Sequence, residues 1–247
     1  MKRLWKITAM EWRLINREFI TLFFALIFPV LMLLLFGTIY GNQPSEFMGG
    51  FGTVDVSTPG YINMIIAVTG LMSFPLTLAQ YRERKILKRF MVTPVKPVEI
   101  LLSQFFVNIL MTVLGLVVLI VLGKVVFDLG FFGNLFEAIV AFVIILLGIF
   151  SIGLLIGGLS KNMKVCTTIA YIIYFPMLFL SGATIPIEIM PQSIINISKI
   201  LPMTYGVSLL KGIWLGGHLA DNVVEIIILL SIAAIFGGFA VKLFRWE

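Results

Sequence analysis

Residues Phe19–Tyr40 read FITLFFALIFPVLMLLLFGTIY, 22 consecutive positions without a charged side chain. As a helix this run is about 33 Å long, enough to cross a hydrocarbon core of roughly 30 Å. A cleaved leader has a shorter apolar core and a small-residue exit. Here Gly41-Asn42-Gln43-Pro44 follows, so the run is expected to be a retained membrane span. Pro29 inside it predicts a kink.

Working outward, the eighteen residues before the run mix Trp5, Trp12, Leu4, Ile7 and Leu14 with Lys, Arg and Glu. That pattern predicts an interfacial helix over 1–18, with tryptophans at headgroup depth and cations toward anionic lipid; a plain topogenic flank is the alternative. Downstream, five further apolar runs cover about 61–80, 101–126, 138–159, 165–181 and 223–244. The composition, 60% hydrophobic and 12% charged, agrees with a bilayer as the solvent. Soluble domains carry about 25% charged residues. No polar stretch is long enough for a separate soluble core, so 1–247 is read as one all-α membrane domain with six transmembrane helices.

The cations orient it. With the N-terminus inside, fifteen Lys and Arg fall on the cytoplasmic side and three (Lys124, Lys199, Lys211) on the outer side. This positive-inside bias places both termini in the cytoplasm of a cell-membrane, multi-pass protein, and it accounts for the +6 formal charge without nucleic acid. Between the fifth and sixth runs, residues 182–221 are broken by Pro186, Pro191, Pro202 and Gly216-Gly217. Two short helices, about Pro191–Ile200 and Thr204–Leu215, fit between the breaks. The segment reads either as a re-entrant gate or as an outer amphipathic loop. Glycines recur at 148, 153, 157, 158, 237 and 238, positions suited to close helix approach within the bundle or to a subunit interface.

Catalytic signatures are missing from the sequence. It has no phosphate-binding Gly-x-x-x-x-Gly-Lys-Ser/Thr loop and no His-Glu-x-x-His. Cys166 is the single cysteine and His218 the single histidine, which leaves no disulfide, no metal set and no serine–histidine pair. No carboxylate lies at mid-membrane depth in the first five runs, against an ion-driven carrier. The chain is therefore expected not to be an enzyme and to hold no cofactor or metal. Any transport would draw on an outside energy source, and a non-transporting scaffold or immunity protein that binds a toxin or recruits a partner is the alternative.

The one sizeable internal cytoplasmic loop, 81–99, is strongly basic. Ile86, Leu87, Phe90 and Met91 recur at helical spacing, and Thr93-Pro94 ends the pattern. A short amphipathic helix that passes a partner's motion into the bundle and a topogenic loop on lipid headgroups both fit. Arg82-Glu83-Arg84, Met91-Val92-Thr93-Pro94 and Glu99-Ile100-Leu101-Leu102 resemble the corresponding loop of ABC-2 type transporter permeases. The distal Leu180-Ser181-Gly182, Pro186, Met190-Pro191, Leu201-Pro202-Met203-Thr204-Tyr205 and Leu210-Lys211-Gly212 agree. Lys85-Ile86 departs from the Gly-Thr found in many members.

The resemblance implies a coupling helix docked on an ABC ATPase subunit, with Arg82, Glu83, Arg84, Lys88, Arg89, Phe90, Thr93 and Pro94 as candidate coupling residues. It implies a re-entrant helical hairpin before the last span, with Gly182, Pro186, Pro191, Pro202 and Tyr205 as candidate gate residues. It also implies a permease of an exporter of a drug, lipid, peptide or other small amphiphile, paired with a second permease copy or close homologue. ATP and Mg would sit on the ATPase partner.

Overall fold

The computed structural model describes residues 8, 22–85, 97–185, 187 and 190–243. The expected interfacial helix, the central part of the basic loop, Pro186 and the last four residues lie outside the described residues, Thr8 excepted. Among the described residues six helices are long and apolar enough to cross a membrane. They are α1 (Phe23–Tyr40), α2 (Thr53–Glu83), α3 (Pro97–Phe127), α4 (Leu135–Leu159), α5 (Met163–Leu180) and α8 (Val223–Leu243). Two short helices, α6 (Gln192–Ser198) and α7 (Pro202–Trp214), form a pair bent by 101° before the last span. No strand occurs among the described residues.

The bundle is built around α2. Its most apolar window is 94% buried, against 11% for α8, so α2 is the axis and α8 a peripheral helix. α1, α3, α4, α5 and α7 all pack on α2, while α8 rests on α4 and α7. Aliphatic side chains of α1, α3 and α8 such as Ile39, Val125 and Val241 face outward, as expected where hydrocarbon is the solvent.

α2 begins eight residues earlier than hydropathy predicts, at Thr53 rather than Tyr61. Its cap comes from outside the helix: Asn42 Oδ1 accepts the backbone N–H groups of Val54 (3.0 Å) and Asp55 (3.2 Å). Asp55 sits in the first turn, where the helix dipole favours a carboxylate. Although 5% exposed, its Oδ1 accepts from Asn42 Nδ2 (2.9 Å) and from the Gly130 N–H (2.8 Å). Trp214 Nε1 in turn donates to the Gly130 carbonyl at 2.9 Å. The loop between α3 and α4 is thereby stitched to the start of α2 and the end of α7. His218 Nδ1 lies 3.3 Å from Glu137 Oε1, and Glu137 also accepts the Leu219 N–H (2.8 Å), which ties the start of α4 to the segment entering α8.

Prolines leave a common mark on α1 and α2. A π-helical turn, Phe23–Ile27, precedes Pro29, and another, Val68–Ser73, precedes Pro75. A proline lacks the N–H for the i−4 carbonyl and crowds it, and local widening of the helix relieves both. The widened turn in α2 lies at a close crossing with α4. Gly70 and Gly153 face each other there, and a methyl built on Gly153 would overlap the Gly70 carbonyl oxygen. Gly157 lies against Pro75 and Leu78, and Gly148 against Leu229 of α8. These glycines of α4 serve packing inside the bundle. Gly238 has open space around it.

Candidate functional site

One end of the bundle gathers the termini of α2 and α3 and the turn between α4 and α5. Here Arg82 and Glu83, adjacent in sequence, bind opposite helix ends. The Arg82 guanidinium donates from Nη1 to the carbonyls of Gly157 (3.1 Å) and Ser160, at the C-terminus of α4. Glu83 Oε2 accepts the Met163 N–H at 2.8 Å, at the N-terminus of α5. A cation on orphan carbonyls and an anion on an orphan N–H each complement the local helix dipole. The last turn of α2 therefore clamps the Ser160–Asn162 turn on both sides. Asn162 completes the junction by accepting the Val165 N–H (2.9 Å).

Arg84 and Lys85 follow as exposed residues. The Arg84 N–H closes the helix on the Gln80 carbonyl at 3.0 Å. Lys85 then takes a left-handed backbone, φ 53°. A glycine adopts that conformation without a Cβ penalty. The basic loop is shorter than the 81–99 expected, since α2 extends to Glu83 and α3 starts at Pro97. Lys88, Arg89, Phe90, Thr93 and Pro94 lie outside the described residues.

From this end a polar ladder runs into the bundle. Thr69, Ser73, Thr77 and Tyr81 recur every four residues on α2, and Gln104, Asn108 and Thr112 do so on α3. All seven are buried. The Thr69 and Thr112 hydroxyls lie 2.7 Å apart, and Gln104 Nε2 donates to the Tyr81 hydroxyl at 3.1 Å. Ser73 Oγ, Gln104 Oε1 and Asn108 Oδ1 have no hydrogen-bond partner among the described residues. Hydropathy averaging hides this stripe; the four-residue period of polar residues would have revealed it.

The opposite end carries the gate candidates. Gly182 turns the chain after α5 with φ 85°, and Thr184 Oγ1 donates back to the Leu178 carbonyl (2.9 Å). Pro191 is the residue before α6, and Pro202 opens α7, where its missing N–H is one of the unpaired ones. Tyr205 Oη donates to the Lys199 carbonyl and Thr204 Oγ1 to the Ser198 carbonyl, both at 2.6 Å. These bonds fix the bend between α6 and α7. Beside the pair lies a cavity of about 450 Å³ reaching Ser57 of α2, Ser181 and Glu225 of α8. Sequence reasoning singled out neither this cavity nor the Asn42–Asp55 lock. Among the described residues no group of His, Cys, Asp and Glu could hold a metal ion.

The sequence pattern of the ABC-2 type transporter family matches residues 2–215. In Escherichia coli (strain K12), the "Probable multidrug ABC transporter permease YbhS" is 25% identical over 182 residues, 73% of this chain and 48% of that protein. The "Probable multidrug ABC transporter permease YbhR" is 26% identical over 188 residues, 76% of this chain and 51% of that protein. The "Inner membrane transport permease YhhJ" is 27% identical over 197 residues, 75% of this chain and 51% of that protein. The matches thus extend over about half the length of these relatives.

Proposed function

This chain belongs to the ABC-2 type transporter family, and from that premise we propose that it is the membrane permease subunit of an ATP-driven exporter. It is a multi-pass membrane protein, and in our reading it resides in the cell membrane with both termini cytoplasmic. The energy comes from a separate ABC ATPase that carries ATP and Mg, and the chain itself is non-catalytic. Two permeases, identical or closely related, form the working pair. The cargo is a small amphiphile or drug; the relatives named as multidrug permeases support that class.

The observation that carries the reading is the clamp at the end of α2. The residues that enter the basic segment, Arg82 and Glu83, are bonded to the α4–α5 junction. A push delivered through the 86–96 segment would reach α2, the buried axis, and α4 and α5 together. The single most direct test is co-expression with a candidate ABC ATPase, reconstitution, and measurement of ATP-dependent transport in Arg89→Glu and Thr93→Glu. Both variants are expected to insert normally and to lose permease-stimulated ATP hydrolysis. Full transport in both would remove the docking role, and a stable partner that is not an ATPase would favour a scaffold.

A further inference from the structure

We propose that the cavity between the start of α2, the α6–α7 pair and the start of α8 binds a zwitterionic headgroup, an anionic phosphate or carboxylate joined to an ammonium. The cavity, about 450 Å³, falls within the roughly 300–1,000 Å³ usual for small-molecule sites. Its walls carry both signs of charge: Lys199 and Lys211 from α6–α7 and their turn, Glu225 from α8. Ser208 Oγ donates to Glu225 Oε1 at 3.1 Å and so holds the carboxylate on this wall. The Tyr205–Lys199 and Thr204–Ser198 bonds fix the turn that presents Lys199.

The hydroxyls point the same way. Ser181 lines the cavity, is 1% exposed, and its Oγ has no hydrogen-bond partner among the described residues. A buried hydroxyl left unpaired is costly, and a headgroup oxygen supplies the missing bond. Ser57, also buried, lines the cavity from α2. Val56 and Val207 add apolar surface for the first carbons of a tail. A simple anion would meet the Glu225 carboxylate, and a purely apolar ligand would desolvate Lys199 and Glu225 with no charge of its own to offer either. A molecule with both charges avoids each penalty. The binding claim does not depend on transport; only the leaflet, the outer one, follows from the orientation proposed above.

The test uses the full chain purified in maltoside micelles and native mass spectrometry with three water-soluble probes: dihexanoyl-phosphatidylethanolamine, dihexanoyl-phosphatidylglycerol and dihexanoylglycerol. The zwitterionic probe is expected to bind tightest. Glu225→Gln, nearly isosteric, should weaken the ethanolamine probe by about tenfold and leave the glycerol phosphate probe unweakened, as for loss of one charge-assisted bond. Lys199→Gln should weaken both phosphate probes, and Ser208→Phe should block all three by filling the cavity. Equal binding of the three probes to the unmodified chain, or an unchanged ethanolamine preference in folded Glu225→Gln, would overturn the proposal. With an ATPase partner present, release of the bound probe during ATP turnover identifies cargo and retention identifies a resident lipid; both are occupants of the proposed site.

Discussion

Glu83 accepts the backbone N–H of Met163 at 2.8 Å, so the end of α2 caps the start of α5 across 80 residues of sequence. Lost N-terminal caps cost about 1 kcal/mol. Glu83→Ala should therefore lower stability in detergent by that order, read by denaturant titration, with Glu83→Gln losing less because the amide oxygen still accepts. If α2 transmits force to the α4–α5 junction, Glu83→Ala should also reduce permease-stimulated ATP hydrolysis more than its stability loss accounts for. Stimulation that simply tracks the folded fraction would limit Glu83 to a structural cap.

Lys85 invites the opposite change. Its φ of 53° places a Cβ in the left-handed region, which costs roughly 1 kcal/mol that glycine does not incur. Lys85→Gly is expected to raise stability by up to that amount, less the entropy glycine adds to the unfolded chain. A loss of stability would show that the Lys85 side chain makes a contact worth more than the strain.

The spans were legible because each is a long, predominantly apolar run with its few charges near the ends, and the α6–α7 break because Pro191 and Pro202 forbid one continuous helix there. The helical start at Thr53 was not. Asp55 and Asn42 look like ordinary loop polars until the fold brings Gly130, 75 residues away, to the same carboxylate. Arg82 and Glu83 were legible as members of a basic loop, but their bonds to Gly157, Ser160 and Met163 depend on a tertiary approach that no local pattern encodes. The buried ladder was present as a four-residue rhythm of Thr, Ser and Tyr on α2, masked by the surrounding aliphatics.

That capping by Asn42 can be measured. Asn42 Oδ1 serves two backbone N–H groups of α2, and Nδ2 serves Asp55 and the Phe127 carbonyl (3.2 Å). Asn42→Ala removes all four bonds, and a loss of about 1–2 kcal/mol is expected. Hydrogen exchange should quicken first at residues 53–56. Exchange that quickens uniformly along α2 would show that its start is not held separately from the core.

Thr69 and Thr112 form the clearest rung of the ladder, 2.7 Å apart with both side chains fully buried. One hydroxyl donates to the other, and the accepting one keeps its own proton for a carbonyl of its helix, Ile65 for Thr69 or Asn108 for Thr112. A double-mutant cycle with Thr69→Val and Thr112→Val should thus give a coupling near the average of about 0.6 kcal/mol for buried interhelical bonds in membrane proteins. Refolding from mild denaturant in detergent micelles is a suitable readout. Zero coupling would mean that the local bonds alone satisfy both hydroxyls.

Gly153 and Gly238 make a pair of identical substitutions with opposite expected signs. Alanine is the better helix former by about 1 kcal/mol in either interior position. At Gly153 the added methyl meets the Gly70 carbonyl, backbone that cannot rotate away, so α2 and α4 must separate. Overpacking of this kind costs about 1–3 kcal/mol, and it falls on the central helix, so Gly153→Ala should lower stability despite the gain in propensity. At Gly238 nothing lies within 4 Å, and Gly238→Ala should leave the isolated chain unchanged or slightly more stable. Cross-linking in native membranes extends the comparison. Should Gly238→Ala abolish association between two copies while sparing the stability of one, the open face of α8 at Gly238 is where the second permease approaches; if association is untouched, the interface lies elsewhere.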